Sequence, residues 1–136
     1  MEKANYCFVC SKTNPKGLHI DFHYLENGIA VAKFKLAREY EGYPGIAHGG
    51  ILSAILDDAM GNVKYLEGYV AYTIDMYVRF IKPSYIGEEL TVRGWVKSVH
   101  LKIVSTEGDI RDKDGNVKVR ARAKYYIAGK VEDVLK

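Results

Sequence analysis

One segment constrains the fold of this chain more than any other, namely the stretch GGILSAILDDAMGNVK from residue 49 to about residue 64. Placed on a helix, its apolar side chains cover well over half of the circumference, and a helix that is apolar almost all round is buried. Ser53 and Asp57 share the remaining face, while Asp58 lies nearer the apolar side. We therefore expect a buried central helix with at least one carboxylate close to the core, which is a costly arrangement.

The rest of the chain is predicted to form strands. A strand is expected at about 18–25, and the Asn27-Gly28 hairpin signal should pair it with a second strand at 29–36. One helix among five or six antiparallel strands makes this an α+β chain, in which the helix covers the apolar face of the sheet. The later strands are predicted at 69–83, 88–100, 101–112 and 117–128.

The composition is that of an ordinary globular protein, with 48% apolar and 27% charged residues among 136. This length suggests a single domain over residues 1–136. No run approaches the roughly 18 apolar residues needed to span a bilayer, and the first residues lack the layout of a signal peptide. We therefore expect a cytoplasmic protein without a membrane partner. A net charge of only +3 argues against nucleic acid as the main partner.

The two cysteines, Cys7 and Cys10, form a C-x-x-C motif. Together with His19 and His23 they approach a Cys2His2 zinc pattern with a short central gap. Against this alternative, the segment GLHIDFHY alternates like a strand and would carry both histidines on its solvated face. A redox role is disfavoured because no helix start follows the motif. We expect no metal site and two partly buried thiols.

The helix start and the residues around it resemble a known family. His48-Gly49-Gly50, with Asp57 nine residues after the histidine, resembles the HGG motif of hotdog-fold acyl-CoA thioesterases of the phenylacetate-pathway type, in the 4-hydroxybenzoyl-CoA thioesterase superfamily. The stretches CFVCSKTNPKGL, YTIDMYVRFIKPSYIGEEL and DIRDKDGNVKVRARAKYY are similar to further segments of that family. The resemblance implies a hotdog fold, in which an antiparallel sheet wraps around one long central helix. It also implies a homodimer or a homotetramer.

The resemblance further implies a catalytic set. The Gly49 N–H, at the positive end of the helix, would stabilise the oxyanion, and Asp57 would be the nucleophile or the general base. His48 would orient the thioester or the water, although without the resemblance we would interpret it as a helix cap or a core histidine. Thr73 would hydrogen-bond the attacking water or carboxylate. Strict strand alternation, however, puts Thr73 on a polar face together with Asp75.

The substrate-binding candidates lie around this set. Gly50 would allow close approach of the substrate to the backbone, and Tyr43 would line the acyl pocket. Arg79, Lys82 and Lys102 are the candidates for the phosphates of coenzyme A. No cofactor is expected beyond the coenzyme A that the substrate carries.

The spacing of the two main catalytic candidates has a geometric consequence. Gly49 and Asp57 lie about 12 Å apart along one helix, at a rise of about 1.5 Å per residue. One carbonyl group cannot contact both, so the donor and the carboxylate of one site should come from different chains across a two-fold axis. If the catalytic set is correct, the working unit is at least a dimer.

The resemblance, together with these residues, implies an acyl-CoA thioesterase that hydrolyses an acyl- or aryl-acetyl-CoA to the free acid and coenzyme A. One alternative is a non-catalytic hotdog domain that binds or senses acyl-CoA. The other is a hydroxyacyl thioester dehydratase, which is disfavoured because Gly49-Gly50 replaces the proline-rich loop that is usual in those enzymes.

Overall fold

A computed structural model describes residues 6–135. They form one antiparallel sheet of six strands in the order β1-β2-β4-β5-β6-β3, with one long helix packed against it. This confirms the predicted α+β class and its single long helix. The strands are β1 (His23–Tyr24), β2 (Ala30–Phe34), β3 (Tyr69–Phe80), β4 (Leu90–His100), β5 (Ile103–Asp112) and β6 (Val117–Lys130). The helices are α1 (Gly49–Leu66) and the short α2 (Val131–Val134), with a 3-10 turn at Arg38–Tyr40.

The long helix α1 lies close against the sheet. Its buried apolar side chains are Leu52, Ile55, Leu56, Ala59, Met60 and Val63, as the predicted apolar arc requires. A Cβ added at Gly94, in the middle of β4, would lie 2.7 Å from the Ala59 carbonyl oxygen. Glycine at this position therefore lets the helix backbone approach the sheet. Among residues 6–135, no helix combines the length and the apolar character needed to cross a membrane.

The strand predicted at 18–25 is largely wrong. Only His23 and Tyr24 join the sheet, as β1, because the preceding backbone bonds to the N-terminal segment instead. The Leu18 and Ile20 N–H groups donate to the carbonyl oxygens of Phe8 (2.8 Å) and Val9 (2.9 Å). His19 has a φ of 55°, which breaks the extended run. The predicted alternation of buried and exposed side chains still holds in part, because Ile20 is buried and His19 is exposed.

The predicted hairpin at Asn27-Gly28 is confirmed. The Leu25 N–H donates to the Ile29 carbonyl oxygen at 2.9 Å, and β1 pairs antiparallel with β2. Gly28 has a φ of 83°, a left-handed conformation that glycine adopts at little cost. The turn chemistry thus determined this pairing even though β1 is short.

A β-bulge at Ile74 determines the direction of Thr73. The register of β3 with β6 passes from Thr73 opposite Tyr125 to Asp75 opposite Lys124, which leaves Ile74 as the extra residue. Strict alternation does not continue across a bulge, so the prediction that Thr73 and Asp75 share a face is wrong. Thr73 faces α1, while beyond the bulge the core-facing residues are Met76 and Val78.

Candidate active site

The helix start is capped by His48. Its Nδ1 accepts a hydrogen bond from the Gly50 N–H at 2.9 Å, and its carbonyl oxygen accepts from the N–H groups of Ile51 and Leu52. A Cβ at Gly50 would lie 3.1 Å from the imidazole, so glycine there lets the ring fold back over the helix end. The capping interpretation of His48 is therefore confirmed. Because Nδ1 accepts, the neutral ring carries its hydrogen on Nε2, which makes Nε2 a donor.

Gly49 presents an unpaired donor. Among the residues that the structure describes, its N–H has no acceptor, whereas the next three N–H groups all bond to His48. A Cβ at Gly49 would meet the Phe80 ring at 3.3 Å, so the glycine leaves space between the helix start and β3. The group lies at the positive end of the helix dipole and can donate to an oxygen that gains negative charge.

Asp57 is fixed through one of its two carboxylate oxygens. The Thr73 hydroxyl donates to Oδ1 at 2.8 Å. The Tyr125 hydroxyl also lies 2.8 Å from Oδ1, and it lies 2.9 Å from the main-chain oxygen of Asp57. Within residues 6–135, Oδ2 has no hydrogen-bond partner, and the side chain is only half-buried. The carboxylate is therefore held in one orientation with one oxygen available to a substrate or a water.

Tyr125 is a site residue that the sequence analysis missed. Its side chain is buried, and burial, followed by the negative charge of Asp57, raises its pKa above the ordinary tyrosine value. The phenol therefore stays protonated and remains a donor. A signal was present, because Tyr125 continues the inward-facing series of Val119, Ala121 and Ala123 in β6. Its partner could not be deduced without the register between β3 and β6.

The Asp57 carboxylate opens into a small cavity of about 230 Å³. Neither Gly49 nor His48 contributes to its lining. The two main catalytic candidates of one chain therefore do not share a cavity. The lining residues include Asp57, Asp58, Tyr65, Thr73 and Tyr125.

The candidates for substrate binding lie outside this cavity. Tyr43 is 82% exposed in the loop before α1. Arg79 lines a separate cleft on the sheet, and Lys82 follows the end of β3. Lys102 lies in the turn between β4 and β5, where its carbonyl oxygen accepts from the Ile127 N–H at 2.8 Å. The basic residues thus flank both ends of β3 and are not gathered in one place.

The Cys2His2 alternative is wrong. His19 Nε2 lies 2.6 Å from the Asn14 carbonyl oxygen, and His23 is 3.6 Å from Asp21. Within the described part of the chain, the one group of three metal-ligating side chains close to one another is Cys7, Cys10 and Asp58. The second aspartate of the helix, rather than the histidines, thus meets the cysteines.

Comparison with known proteins defines the class of this fold and site. Residues 44–119 match the model of a family described as the thioesterase superfamily. This match covers more than half of the chain, and the chain therefore belongs to the thioesterase superfamily, a family of thioester hydrolases. The hotdog fold expected from the sequence is that of its structural relatives.

Particular relatives agree with this assignment. A predicted esterase of Saccharolobus solfataricus is 25% identical over 114 residues, which cover 82% of this chain and 81% of the relative. The mouse (Mus musculus) acyl-coenzyme A thioesterase THEM5 is 36% identical over 61 residues, which cover 45% of this chain and 24% of the relative. A crystal structure of a thioesterase superfamily protein matches with a TM-score of 0.84 and 28% identity. That match covers 89% of this chain but only 63% of the crystallised one.

Proposed function

We propose that this protein is an acyl-CoA thioesterase of the phenylacetate-pathway type, with an active site formed where two copies meet. The observation that carries the proposal is the pair of groups on α1, an unpaired amide at Gly49 and a fixed carboxylate with one open oxygen at Asp57. Thioester hydrolysis needs a donor to the oxyanion and a group that attacks or activates water. The name of the mouse relative supports coenzyme A as the thiol of the substrate.

Distance supports the use of two copies. Gly49 and Asp57 are about 12 Å apart along α1, while the reacting atoms must approach to about 3 Å. The cavity at Asp57 measures about 230 Å³, which is below the roughly 300–1,000 Å³ of typical ligand pockets. A second copy would supply both the oxyanion donor and the further side chains needed to enclose a larger pocket.

The edge of the sheet supports a specific way to pair. Strand β3 is an edge strand, and it exposes the apolar side chains of Ile74 and Phe80. An exposed apolar edge is a template for pairing with another strand. Thr73 contacts Asp57 and Phe80 faces Gly49. Asp57 therefore lies near the Thr73 end of β3, and Gly49 lies near the Phe80 end. Antiparallel pairing of two β3 strands around a two-fold axis would place the Phe80 end of one copy beside the Thr73 end of the other. This pairing would bring Gly49 of one copy towards Asp57 of the other.

In the proposed reaction, the Gly49 N–H donates to the carbonyl oxygen as negative charge develops on it. Asp57 Oδ2 either takes a proton from the water that attacks the carbonyl carbon, or attacks that carbon itself to form an anhydride that water then hydrolyses. In both routes the C–S bond breaks and the sulfur of coenzyme A leaves with the electron pair. Thr73 and Tyr125 hold Oδ1, and His48 Nε2–H donates to the thioester or the water.

Two-fold pairing would also gather the substrate-binding candidates. Arg79 and Lys82 lie at the Gly49 end of β3, and Lys102 lies at the end near Tyr125. We propose that these groups, drawn from both copies, bind the phosphates of coenzyme A. Tyr43 and Gly50 would then contact the acyl group beside the helix start.

Thiol release from a panel of acyl-CoA esters, including phenylacetyl-CoA and straight-chain esters, tests the proposed function. The wild-type chain should release coenzyme A from at least one ester, and Asp57→Asn should not. Asp114→Asn, an identical charge change in an exposed hairpin turn, is the matched control and should retain activity. Binding of acyl-CoA without thiol release by the wild type would instead favour the non-catalytic alternative.

Isotope labelling tests whether an Asp57 carboxylate oxygen is transferred to the product acid. A single turnover in ¹⁸O-labelled water places the label in the free acid if Asp57 is a general base. If Asp57 is the nucleophile and water attacks its Cγ atom in the anhydride, the first turnover transfers an unlabelled carboxylate oxygen of Asp57 to the acid and places the label in the Asp57 side chain. Mass spectrometry of the acid and of the peptide that contains Asp57 reports both outcomes.

A further inference from the structure

We propose that Cys7, Cys10 and Asp58 bind a thiophilic divalent cation of the Zn²⁺ type, which links the N-terminal segment to α1. The C-x-x-C motif has no role in the proposed thioesterase chemistry, and this second site does not depend on that chemistry. Its ligands come from two segments that are far apart in sequence. Their convergence in the fold is the first observation in its favour.

The spacing of the ligand atoms suits such an ion. A turn closed by the Ser11 N–H and the Cys7 carbonyl oxygen (3.1 Å) brings the two cysteines together. The two sulfur atoms and a carboxylate oxygen of Asp58 all lie within 4.8 Å of one another, and Cys7 Sγ is 3.6 Å from Asp58 Oδ1. With zinc–sulfur and zinc–oxygen bonds of about 2.3 and 2.0 Å, a tetrahedral site needs about 3.5 Å between these two atoms.

The surroundings favour a soft cation over a hard one. Cys10 is 2% exposed and Asp58 is 8% exposed, while Cys7 is only half-buried and leaves a route to solvent. A carboxylate is costly to bury, and a neighbouring cation offsets that cost. Two sulfur ligands select zinc or a similar metal rather than magnesium or calcium. Three protein ligands with a water in the fourth position are a common arrangement around zinc.

Asn62 supports the site from the second layer of side chains. Its Nδ2 donates to Asp58 Oδ2 at 2.9 Å, which fixes the carboxylate with Oδ1 near Cys7. Partners of this kind orient metal-binding side chains in many proteins. The Asn62 Oδ1 atom is buried without a hydrogen-bond partner among the described residues. A water bound to the cation would offer such an acceptor a donor.

Metal binding would depend on pH and would raise the stability of the folded protein. The thiols must lose their protons to bind, so two protons pass to solvent and the affinity rises with pH. The cation would join the segment that bonds to Leu18 and Ile20 with the turn of α1 that carries Asp57. We therefore expect Zn²⁺ to raise the melting temperature of the reduced protein.

The test uses the full chain, reduced and freed of metal with a chelator. Zn²⁺ titrated against a chromophoric competitor should bind at about one ion per chain, and Co²⁺ should give the intense thiolate-to-metal charge-transfer band of a sulfur site. Cys10→Ser and Asp58→Asn should lose binding. His19→Asn and His23→Asn are the matched controls and should bind normally. Asn62→Ala should weaken binding by about 10- to 100-fold.

Two results would overturn the proposal. One is a reduced wild-type protein that is folded by circular dichroism and binds neither ion. The other is an Asp58→Asn variant with undiminished affinity and an unchanged cobalt spectrum. The first result is measured on the wild-type protein alone. The proposal can therefore be overturned even if a substituted variant does not fold. Neither result bears on thiol release, so this proposal and the thioesterase proposal fail independently.

Discussion

Asp57 and Asp58 are neighbours in sequence but occupy two different environments. Successive helical residues point about 100° apart, since a turn has 3.6 residues. Asp57 is half-buried, faces two hydroxyl donors and opens into a cavity. Asp58 also contributes to the lining of that cavity, but it is buried and its carboxylate oxygens face Cys7 and Asn62. The two residues are of the same type and differ by one position along the helix. The comparison therefore teaches that the elements packed on each side of a helix decide the chemistry of a carboxylate.

The largest effect should come from Asp57→Asn. An amide can neither take a proton from water nor attack a thioester, so we expect thiol release to fall by about 10³-fold. Steady-state kinetics with the best ester of the panel measures this change. If the variant retains more than about a tenth of the activity, Asp57 does not have the assigned role.

The next largest loss of activity should come from removal of the Gly49 N–H. Gly49→Pro removes this group at the first helical position, where proline is well tolerated, and the ψ of 130° at His48 suits a residue before proline. We expect kcat/KM to fall by about 10²- to 10³-fold, as for loss of an oxyanion donor. Gly49→Ala keeps the N–H and adds the same Cβ contact with Phe80, so it is the matched control. Equal losses in both variants would assign the effect to crowding instead.

A smaller effect should follow removal of either donor to Asp57 Oδ1. Tyr125→Phe and Thr73→Val each delete one hydrogen bond to a charged group, which is worth about 1.5–3 kcal/mol, or roughly 10- to 100-fold. We expect the loss in kcat, with little change in KM, because these hydroxyl groups act by orienting Asp57. A double-mutant cycle should show coupling, since both hydroxyls bind one oxygen. If the free-energy losses of the two variants add strictly, the two hydroxyl groups do not position Asp57 jointly.

Asp58→Asn should have the smallest effect on thiol release. We expect a loss of less than about tenfold, because the Asp58 carboxylate is engaged by Cys7 and Asn62 and not by the two hydroxyl groups that hold Asp57. Its main effect should be loss of the Zn²⁺-dependent rise in melting temperature, measured by differential scanning fluorimetry. A loss of activity as large as that of Asp57→Asn would remove the distinction between the two aspartates.

The sequence predicted the parts of the fold that depend on local pattern. The apolar arc of α1, the hairpin at Asn27-Gly28 and the long strands from residue 69 onward follow from periodicity and turn chemistry. The strand predicted at 18–25 was mostly wrong because its backbone partners, Phe8 and Val9, are residues that no local pattern points to.

The candidate site was predictable only in part. The motif indicated Gly49 and Asp57 as candidates, but a single inserted residue at Ile74 turns Thr73 towards the helix, against the alternation. Tyr125 was visible as an inward-facing residue, yet its bond to Asp57 depends on the pairing of β3 with β6. These features depend on strand register and β-bulges, which one sequence does not specify.

Subunit complementation tests whether two copies build one site. Gly49→Pro and Asp57→Asn, each inactive alone and carrying different tags, are co-expressed and the mixed species is purified or formed by random exchange. If the donor and the carboxylate come from different copies, a mixed dimer has one site with both groups intact. Random mixing in equal amounts should then restore about a quarter of the wild-type activity. Verified mixed dimers with no more activity than their parents, or a fully active monomer, would contradict the shared site.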